Sequence, residues 1–281
     1  MIPHLPIDLV RETVQRALAE DVSGAGDITS LAVVPETARV AFELRARQNG
    51  VLCGLQPAIE VFTQAGPNLS IDVLASDGDP LEPDESVLRI EGAARECMLA
   101  ERTALNFLGR MSGIATLTRR YVDEIVGTKA KIVHTRKTTP GLRAFEIQAV
   151  RAGGGAPHRF NLSDAILIKD NHIAAVKSPA EAVRAARENA GHMVRISCEI
   201  DRLEDLSRVM KAGADVVLLD NFNIGDLRSA VVEAASRVIL EASGGVTLES
   251  VRHIAETGVE IISVGSLTHS APNFDFGLDA V

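Results

Sequence analysis

Between Lys131 and Ser266 the sequence contains KIVHTRK (131–137), AILIKD (165–170), VRISCEI (194–200), DVVLLDN (215–221), VILEASGG (238–245) and IISVGS (261–266). Each is a short apolar run ending in residues that chemistry can use. The tips are Arg136 and Lys137, Lys169 and Asp170, Glu199, Asp220, Ser243-Gly244-Gly245, and Gly265-Ser266. The last four tips, at 199, 220, 243 and 265, stand 21 to 23 residues apart, with helix-patterned sequence between them. Apolar strand, polar tip and helix at that period describe a parallel α/β barrel, whose active sites collect at the C-terminal strand ends.

A weak internal repeat agrees with this. KAGADVVLLDN (211–221) and ETGVEIISVGS (256–266) share a helix end, a glycine, an acidic residue and an apolar strand. Leu203, Leu206, Val209 and Met210 have helical spacing before a stop at Gly213. About 150 residues are too few for eight βα units, which need about 250, so an incomplete or smaller barrel is expected.

Upstream the rhythm differs. Asp8 to Glu20 reads as an amphipathic helix, with Leu9, Val10, Val14, Ala17 and Leu18 on one side. A Gly- and Asp-rich loop, EDVSGAGDITS (20–30), follows. Val40, Phe42, Leu44 and Ala46 alternate with Ala41, Glu43, Arg45 and Arg47, as in a half-buried strand. Further strands are expected near Leu52, Ile71 to Leu74 and Val87 to Ile90. A long helix is expected from Ala93 to about Ser112, with α/β alternation from about Leu117. The chain is thus read as an N-terminal α+β domain over 1–114, with a mixed or antiparallel sheet, and a barrel over 115–267. The tail THSAPNFDFGLDAV (268–281) holds no further βα unit and is expected to pack back on the first domain.

The chain of 281 residues has a net charge of −9, which argues against nucleic-acid or anionic-membrane binding. Aromatics are 3%, with no Trp, so platforms for stacking bases are scarce. No apolar stretch approaches the roughly 20 residues of a membrane span, and no secretory signal is expected. Cys53, Cys97 and Cys198 are odd in number and widely separated; buried structural thiols in a reducing cytoplasm are expected. Against the acidic background, residues 134–172 hold Arg136, Lys137, Arg143, Arg151, Arg159 and Lys169 against Glu146, Asp164 and Asp170, a balance of +3. Such an island reads as a pocket for a small anion. Arg143 and Arg151 equally suit a solvated helix face.

The tips suggest the chemistry. Ser243-Gly244-Gly245 and Gly265-Ser266 fit a phosphate site, since bare backbone N–H groups can approach an anion there. Glycine pairs are also common in plain turns. Glu199 and Asp220 on neighbouring strands could bind Mg2+, hold ribose hydroxyls or act as acid and base; a structural ion pair is the simpler alternative. Arg136 offers a fork for a carboxylate and Lys137 a point charge for phosphate. His158 and Arg159 follow the triple glycine Gly153-Gly154-Gly155, which lacks the Walker pattern and is read as a joint. Lys169 could form a Schiff base or clamp an anion. No histidine pair has the spacing of a zinc protease, and no nucleophile–base pair is evident. Together these residues suit a ligand with several carboxylates and phosphates.

At these residues the sequence resembles the quinolinate phosphoribosyltransferase family nearly end to end. The resemblance runs through EDVSGAGDITS (20–30), ERTALNFLGRMSGIATLT (101–118), HTRKTTPGLR (134–143), AVRAGGG (149–155), HRFNLSDAILIKDNHI (158–173), LLDN (218–221), EASGGV (241–246) and ISVGSLTHS (262–270). It implies a seven-stranded, incomplete α/β barrel after an N-terminal sandwich domain. The implied reaction transfers ribose 5-phosphate from phosphoribosyl pyrophosphate to quinolinate, pyridine-2,3-dicarboxylate. Pyrophosphate and CO2 leave, and nicotinate mononucleotide for NAD biosynthesis remains. By resemblance Arg136, His158, Arg159 and Lys169 hold the dicarboxylate, and Arg102 reaches in from a neighbouring subunit. Lys137 meets the donor, and Glu199 and Asp220 take its ribose hydroxyls and Mg2+. Ser243, Gly244, Gly245 and Gly265 take the 5-phosphate, with His269 close by. Lys137, Lys169, Glu199 and Asp220 are the expected catalytic residues, in a cytoplasmic homodimer or hexamer.

Ile147-Gln148 stand where the family has a basic and an aromatic residue. Ala156-Pro157 replace a small residue and Asn, and Asn161 a common Gly. A paralogous phosphoribosyltransferase of molybdate operons shares HTRKT and the triple glycine but would be expected to lose the ERTALN and IKDNH signatures present here. A Schiff-base aldolase using Lys169 and a non-catalytic sensing subunit are the remaining alternatives.

Overall fold

The computed structural model describes residues 3–22, 24–176 and 178–281; Ser23 of the EDVSGAGDITS loop lies outside them. Two compact units emerge: residues up to Arg119 with Thr139–Gly154 and Ser270–Val281, and Arg120–Thr138 with Gly155–His269.

The first unit holds α1 (Ile7–Asp21), α2 (Ile28–Val33), β1 (Arg39–Ala46), β2 (Gly50–Val51), α3 (Leu55–Ala65), β3 (Ser70–Val73), β4 (Pro80–Leu81), β5 (Ser86–Ala93) and most of α4 (Ala94–Glu124). The second begins its sheet with β6 (Lys131–Val133), after which α5 (Arg143–Ala152) returns to the first unit. Then come β7 (Ile166–Ile168), α6 (Asp170–Val176), α7 (Pro179–Asn189), β8 (Ile196–Ile200), α8 (Leu206–Ala212), β9 (Val216–Asp220), α9 (Ile224–Ala234), β10 (Ile239–Ser243), α10 (Leu248–Ala255), β11 (Ile261–Ser263) and α11 (Ser266–His269). The last strand, β12 (Phe276–Ala280), belongs to the first unit and pairs antiparallel with β1.

The first unit is built on an antiparallel sheet in the order β12-β1-β5-β3. Leu44, Leu88 and Ile90 from this sheet, Phe62 from α3 and Leu108 and Met111 from α4 are buried. The strand expected near Leu52 is the short β2, paired with β4.

One expectation is corrected. The Ser112-Gly113 pair does not end the long helix, which runs on to Glu124, so the α/β alternation starts at Lys131 rather than near Leu117. The physical reason is close packing. Ser112 Oγ is buried between the backbone N–H and C=O of Cys53, at 2.9 and 3.0 Å. A Cβ on Gly113 would overlap the Pro272 carbonyl, and one on Gly109 would come within 2.9 Å of the Phe274 carbonyl. The glycines let the tail lie against the helix; they do not break it.

The second unit carries a six-stranded parallel sheet in the order β6-β11-β10-β9-β8-β7. All six apolar runs are strands. Side chains from every strand, Val133, Leu167, Ser197, Val216, Ile239 and Ile261 among them, line one cavity of about 220 Å³, so the sheet curls around its own interior. The intervening helices are capped as their sequences demand: Ser178 on α7, Asn223 on α9 and a Thr247–Ser250 capping box on α10. Gly213 closes α8 in the left-handed conformation.

Among the described residues the sheet has six strands, and the seventh implied by resemblance is reduced to a bridge. Beside β6 only a single bridge forms, Val133 to Ala156. Ala156 donates to the Ile132 carbonyl at 2.8 Å, but the next N–H on that side, that of His158, goes to the His134 side chain and does not extend the ladder. Among the described residues no helix is long and apolar enough to cross a membrane. Cys53, Cys97 and Cys198 are buried and unpaired. Burial pushes the Cys97 thiol up to about 11 and that of Cys198 up to about 12, which leaves both inert.

Replacing Gly113 by Ala should therefore cost about 1–3 kcal/mol of stability through overpacking. Gly191→Ala, where a Cβ meets open space, should be nearly neutral. Thermal unfolding of the two variants checks this, and equal melting temperatures would refute the packing role of Gly113.

Candidate active site

In a parallel sheet, residues that pair across strands point to the same side. The register matches Ser243 with Asp220, Leu218 with Glu199, and Glu241 with Leu218. The residues two positions further along each strand share the inward face, so the polar tips converge on one end of the sheet. There Arg136, Lys137, His158, Arg159, Lys169, Glu199, Asp220 and Ser243 line a single cavity of about 390 Å³.

The loop after β6 presents two cations. Thr135 Oγ1 accepts the Lys137 N–H at 3.1 Å, and the Lys137 carbonyl accepts from Thr268 Oγ1 at 2.8 Å. A Cβ on Gly265 would come within 3.2 Å of both Lys137 Cδ and His269 Nε2, so Lys137, Gly265 and His269 meet at the tip of β11. Arg136 Nε is buried without a partner. Arg159 is anchored by donation from Nη1 to the Ala165 carbonyl at 3.0 Å. Burial and the neighbouring Arg136 hold its guanidinium below the usual arginine range. Two guanidinium groups side by side, one with an orphaned donor, are suited to a planar anion with more than one carboxylate.

The carboxylates sit across the cavity. Lys169 Nζ lies 3.3 Å from Glu199 Oε2, an ion pair rather than an isolated amine. Asp220 Oδ2 accepts from Asn221 Nδ2 at 2.7 Å. Asn221 adopts a left-handed conformation, and its N–H donates to the Ser243 carbonyl at 2.9 Å, which ties the tips of β9 and β10 together. Gly244 has φ +93°, and a Cβ there would overlap Asn221 Oδ1. Only glycine fits that turn. Gly245, with nothing within 4 Å, leaves its backbone open. Ser266 Oγ is buried without a partner beside Gly265. Gly244, Gly245, Gly265 and His269 are rim residues and do not line the cavity itself. Arg102 is exposed on α4, in the first unit, and lines no part of it.

Two carboxylates at neighbouring strand ends are the donor type a hard divalent cation prefers. Such an ion takes one or two protein carboxylates and completes its shell with substrate phosphates and water. Glu199 and Asp220 fit that role.

Two buried residues escaped the sequence reading: Glu241 and Ser263. Their signal lay inside the runs. Glu241 interrupts an apolar parallel strand, VILEAS, where an unpartnered acid is not tolerated. Reading only the tips passed over it. The departures at Ile147-Gln148 fall in α5, where both side chains are buried and Gln148 Nε2 donates to the Pro3 carbonyl at 3.2 Å. Asn161 Oδ1 accepts the Ser163 N–H at 2.7 Å, forming a side-chain turn that glycine could not make.

Comparison with known proteins agrees with this arrangement. Residues 27–112 match the model of the quinolinate phosphoribosyl transferase N-terminal domain, and 114–279 that of its C-terminal domain. The nicotinate-nucleotide pyrophosphorylase [carboxylating] of Mycobacterium leprae (strain TN) is 43% identical over 286 residues, covering 99% of this chain and 100% of that protein. The nicotinate-nucleotide pyrophosphorylase structure from Francisella tularensis superposes with a TM-score of 0.93 at 38% identity, covering 100% of this chain and 99% of the other. The Ehrlichia chaffeensis structure gives 0.92 at 39%, covering 96% and 98%. Both domain models and a full-length relative thus coincide with a chain whose cations, carboxylates and glycines meet at one barrel mouth, and the chain belongs to the quinolinate phosphoribosyltransferase family.

Proposed function

We propose that the chain transfers ribose 5-phosphate from phosphoribosyl pyrophosphate to pyridine-2,3-dicarboxylate, with loss of CO2, to form nicotinate mononucleotide in NAD biosynthesis. The observation that carries this reading is the gathering of Arg136, Lys137, His158, Arg159 and Lys169 with Glu199 and Asp220 in one cavity. In this reading Arg136, His158, Arg159 and Lys169 hold the two carboxylates of the acceptor. Arg102, exposed on α4, completes the pocket of a partner subunit, so the working enzyme is a homodimer or a larger assembly of dimers. Ser243, Gly244, Gly245 and Gly265 face the 5-phosphate with backbone N–H groups, and His269 stands beside them. Lys137 meets the pyrophosphate. Glu199 and Asp220 hold the ribose hydroxyls and a Mg2+ ion. When bound, that ion neutralises charge on the departing pyrophosphate. The buried, unpaired thiols suit a reducing cytoplasm. The domain limits of this reading are 1–114 and 115–267.

The chemistry follows from electrostatics. Lys137 stabilises the negative charge that grows on the leaving pyrophosphate as the C1–O bond breaks and the pyridine nitrogen bonds to C1. The arginine pair fixes the acceptor ring so that its nitrogen faces C1. The quaternary nitrogen then stabilises the electron pair left on C2 when the C2–carboxylate bond breaks and CO2 departs, and that carbon takes up a proton. Transfer therefore precedes decarboxylation. Lys169 is paired with Glu199 at 3.3 Å, a contact that a Schiff-base role would have to give up.

The direct test is a coupled assay of purified protein with donor, acceptor and Mg2+, following CO2, pyrophosphate and nicotinate mononucleotide together. Equal formation of all three is expected, with activity lost in EDTA and restored by Mg2+. Free nicotinate appearing without ribosylation would overturn the order of steps, and no product would overturn the function. Arg159→Ala should raise the acceptor KM about 10- to 100-fold, since a hydrogen bond to a charged group contributes about 1.5–3 kcal/mol. An unchanged acceptor KM would remove Arg159 from the site. Arg102→Ala should abolish activity yet regain part of it on mixing with Arg159→Ala protein, because a mixed dimer retains one intact site. Mixtures no more active than their components would refute a shared site.

A further inference from the structure

Beneath the cationic mouth lies a carboxylate that none of these roles uses. Glu241, in mid-β10, is only 3% exposed. It accepts a short hydrogen bond from the Ser263 hydroxyl on the adjacent strand β11. Its carboxylate also faces His158 Nε2, at 3.3 Å from one oxygen and 3.4 Å from the other. Among the described residues, His158 is the one basic side chain within ion-pair distance of Glu241.

The main chain of His158 is held separately. Its N–H donates to His134 Nε2 at 3.0 Å, so that nitrogen is unprotonated. His134, buried, therefore has its proton on Nδ1, 3.3 Å from the Thr135 carbonyl. Backbone and ring of His158 are thus fixed from two sides of the barrel wall. The remaining ring nitrogen, Nδ1, has no hydrogen-bond partner among the described residues, and the side chain lines the cavity with Arg136, Arg159 and Lys169.

A carboxylate at one imidazole nitrogen selects the tautomer with the proton on that side and frees the other nitrogen for a ligand. A buried acid without a cation is costly, so its retention beneath this histidine needs a use. We propose that Glu241, held by Ser263, is a positioning residue that locks His158 with Nε2–H on the carboxylate and Nδ1 turned toward the acceptor. With the acceptor bound, a proton taken up from solvent on Nδ1 lets the ring stand between two carboxylates and donate to both. This rests on reading the cavity as the dicarboxylate site.

Four measurements test it. Glu241→Gln keeps the shape and removes the charge; it should raise the acceptor KM about tenfold or more, with kcat and the donor KM little changed. Ser263→Ala, which frees the carboxylate without altering it, should raise the same KM by a smaller factor. The double variant His158→Ala/Glu241→Gln should be no weaker than His158→Ala alone, because Glu241 acts through the ring. Ring 15N spectra of the ligand-free protein should show Nε2–H at His158 in the wild type and a tautomer mixture in Glu241→Leu. An unchanged acceptor KM, additive losses, or a wild-type proton on Nδ1 would each overturn the proposal. A wild type without turnover would sink the function instead, and the ring spectra would still decide the Glu241–His158 link.

Discussion

Crowding like charges is the constraint on which this barrel turns. Arg136, Lys137, Arg159 and Lys169 line one cavity of about 390 Å³, and the two guanidinium groups are close enough to oppose each other's charge. Such a cluster is tolerable only if the wall supplies compensating charge without filling the space. Glu199 does so for Lys169 at the rim, and Glu241 lies below the mouth where it acts on Arg159 and His158. Enough cationic character remains to draw an anion in, and Arg136 holds a buried donor with which to meet it.

The fold meets this demand through the period of its strands. Alternate residues of each run face inward, so a strand can be apolar through the wall and polar at its end without any change of register. β9 shows it compactly: Val216 and Leu218 face the interior and Asp220 its mouth. Glycine then handles close approach. At Gly244 the tip must pass against Asn221, and at Gly265 the backbone must leave room for Lys137 and His269. Any side chain at either place would displace a group of the site.

This division explains what was readable in the sequence. Runs of apolar residues with charged ends are visible one strand at a time, and all six became strands with their tips in one place. Register is not visible one strand at a time. The pairing of Glu241 with Ser263 and His158 joins residues 22 and 83 positions away, so the acid looked like part of an ordinary strand. The same blindness affected α4. Ser112-Gly113 has the composition of a stop, and only the tail, about 160 residues later (272 − 113), shows it to be a packing surface. The seventh strand shrinks to one bridge for a local reason, the His158 N–H being taken by the His134 side chain, which no single strand's sequence displays.

The arrangement also bears on how a cationic pocket lets go. In the proposed reaction the acceptor enters with two carboxylates and a neutral ring. Ribosylation places a positive charge on the ring nitrogen beside the same arginines, and loss of CO2 then removes one of the two anions they hold. The attraction between pocket and pyridine moiety falls at each chemical step while the wall stays as it was. Arg136 and Arg159, half-buried and mutually repelling, gain most from the incoming dicarboxylate and least from the product. A site built this way binds its acceptor through charge and loosens its hold on the product because the reaction itself consumes that charge.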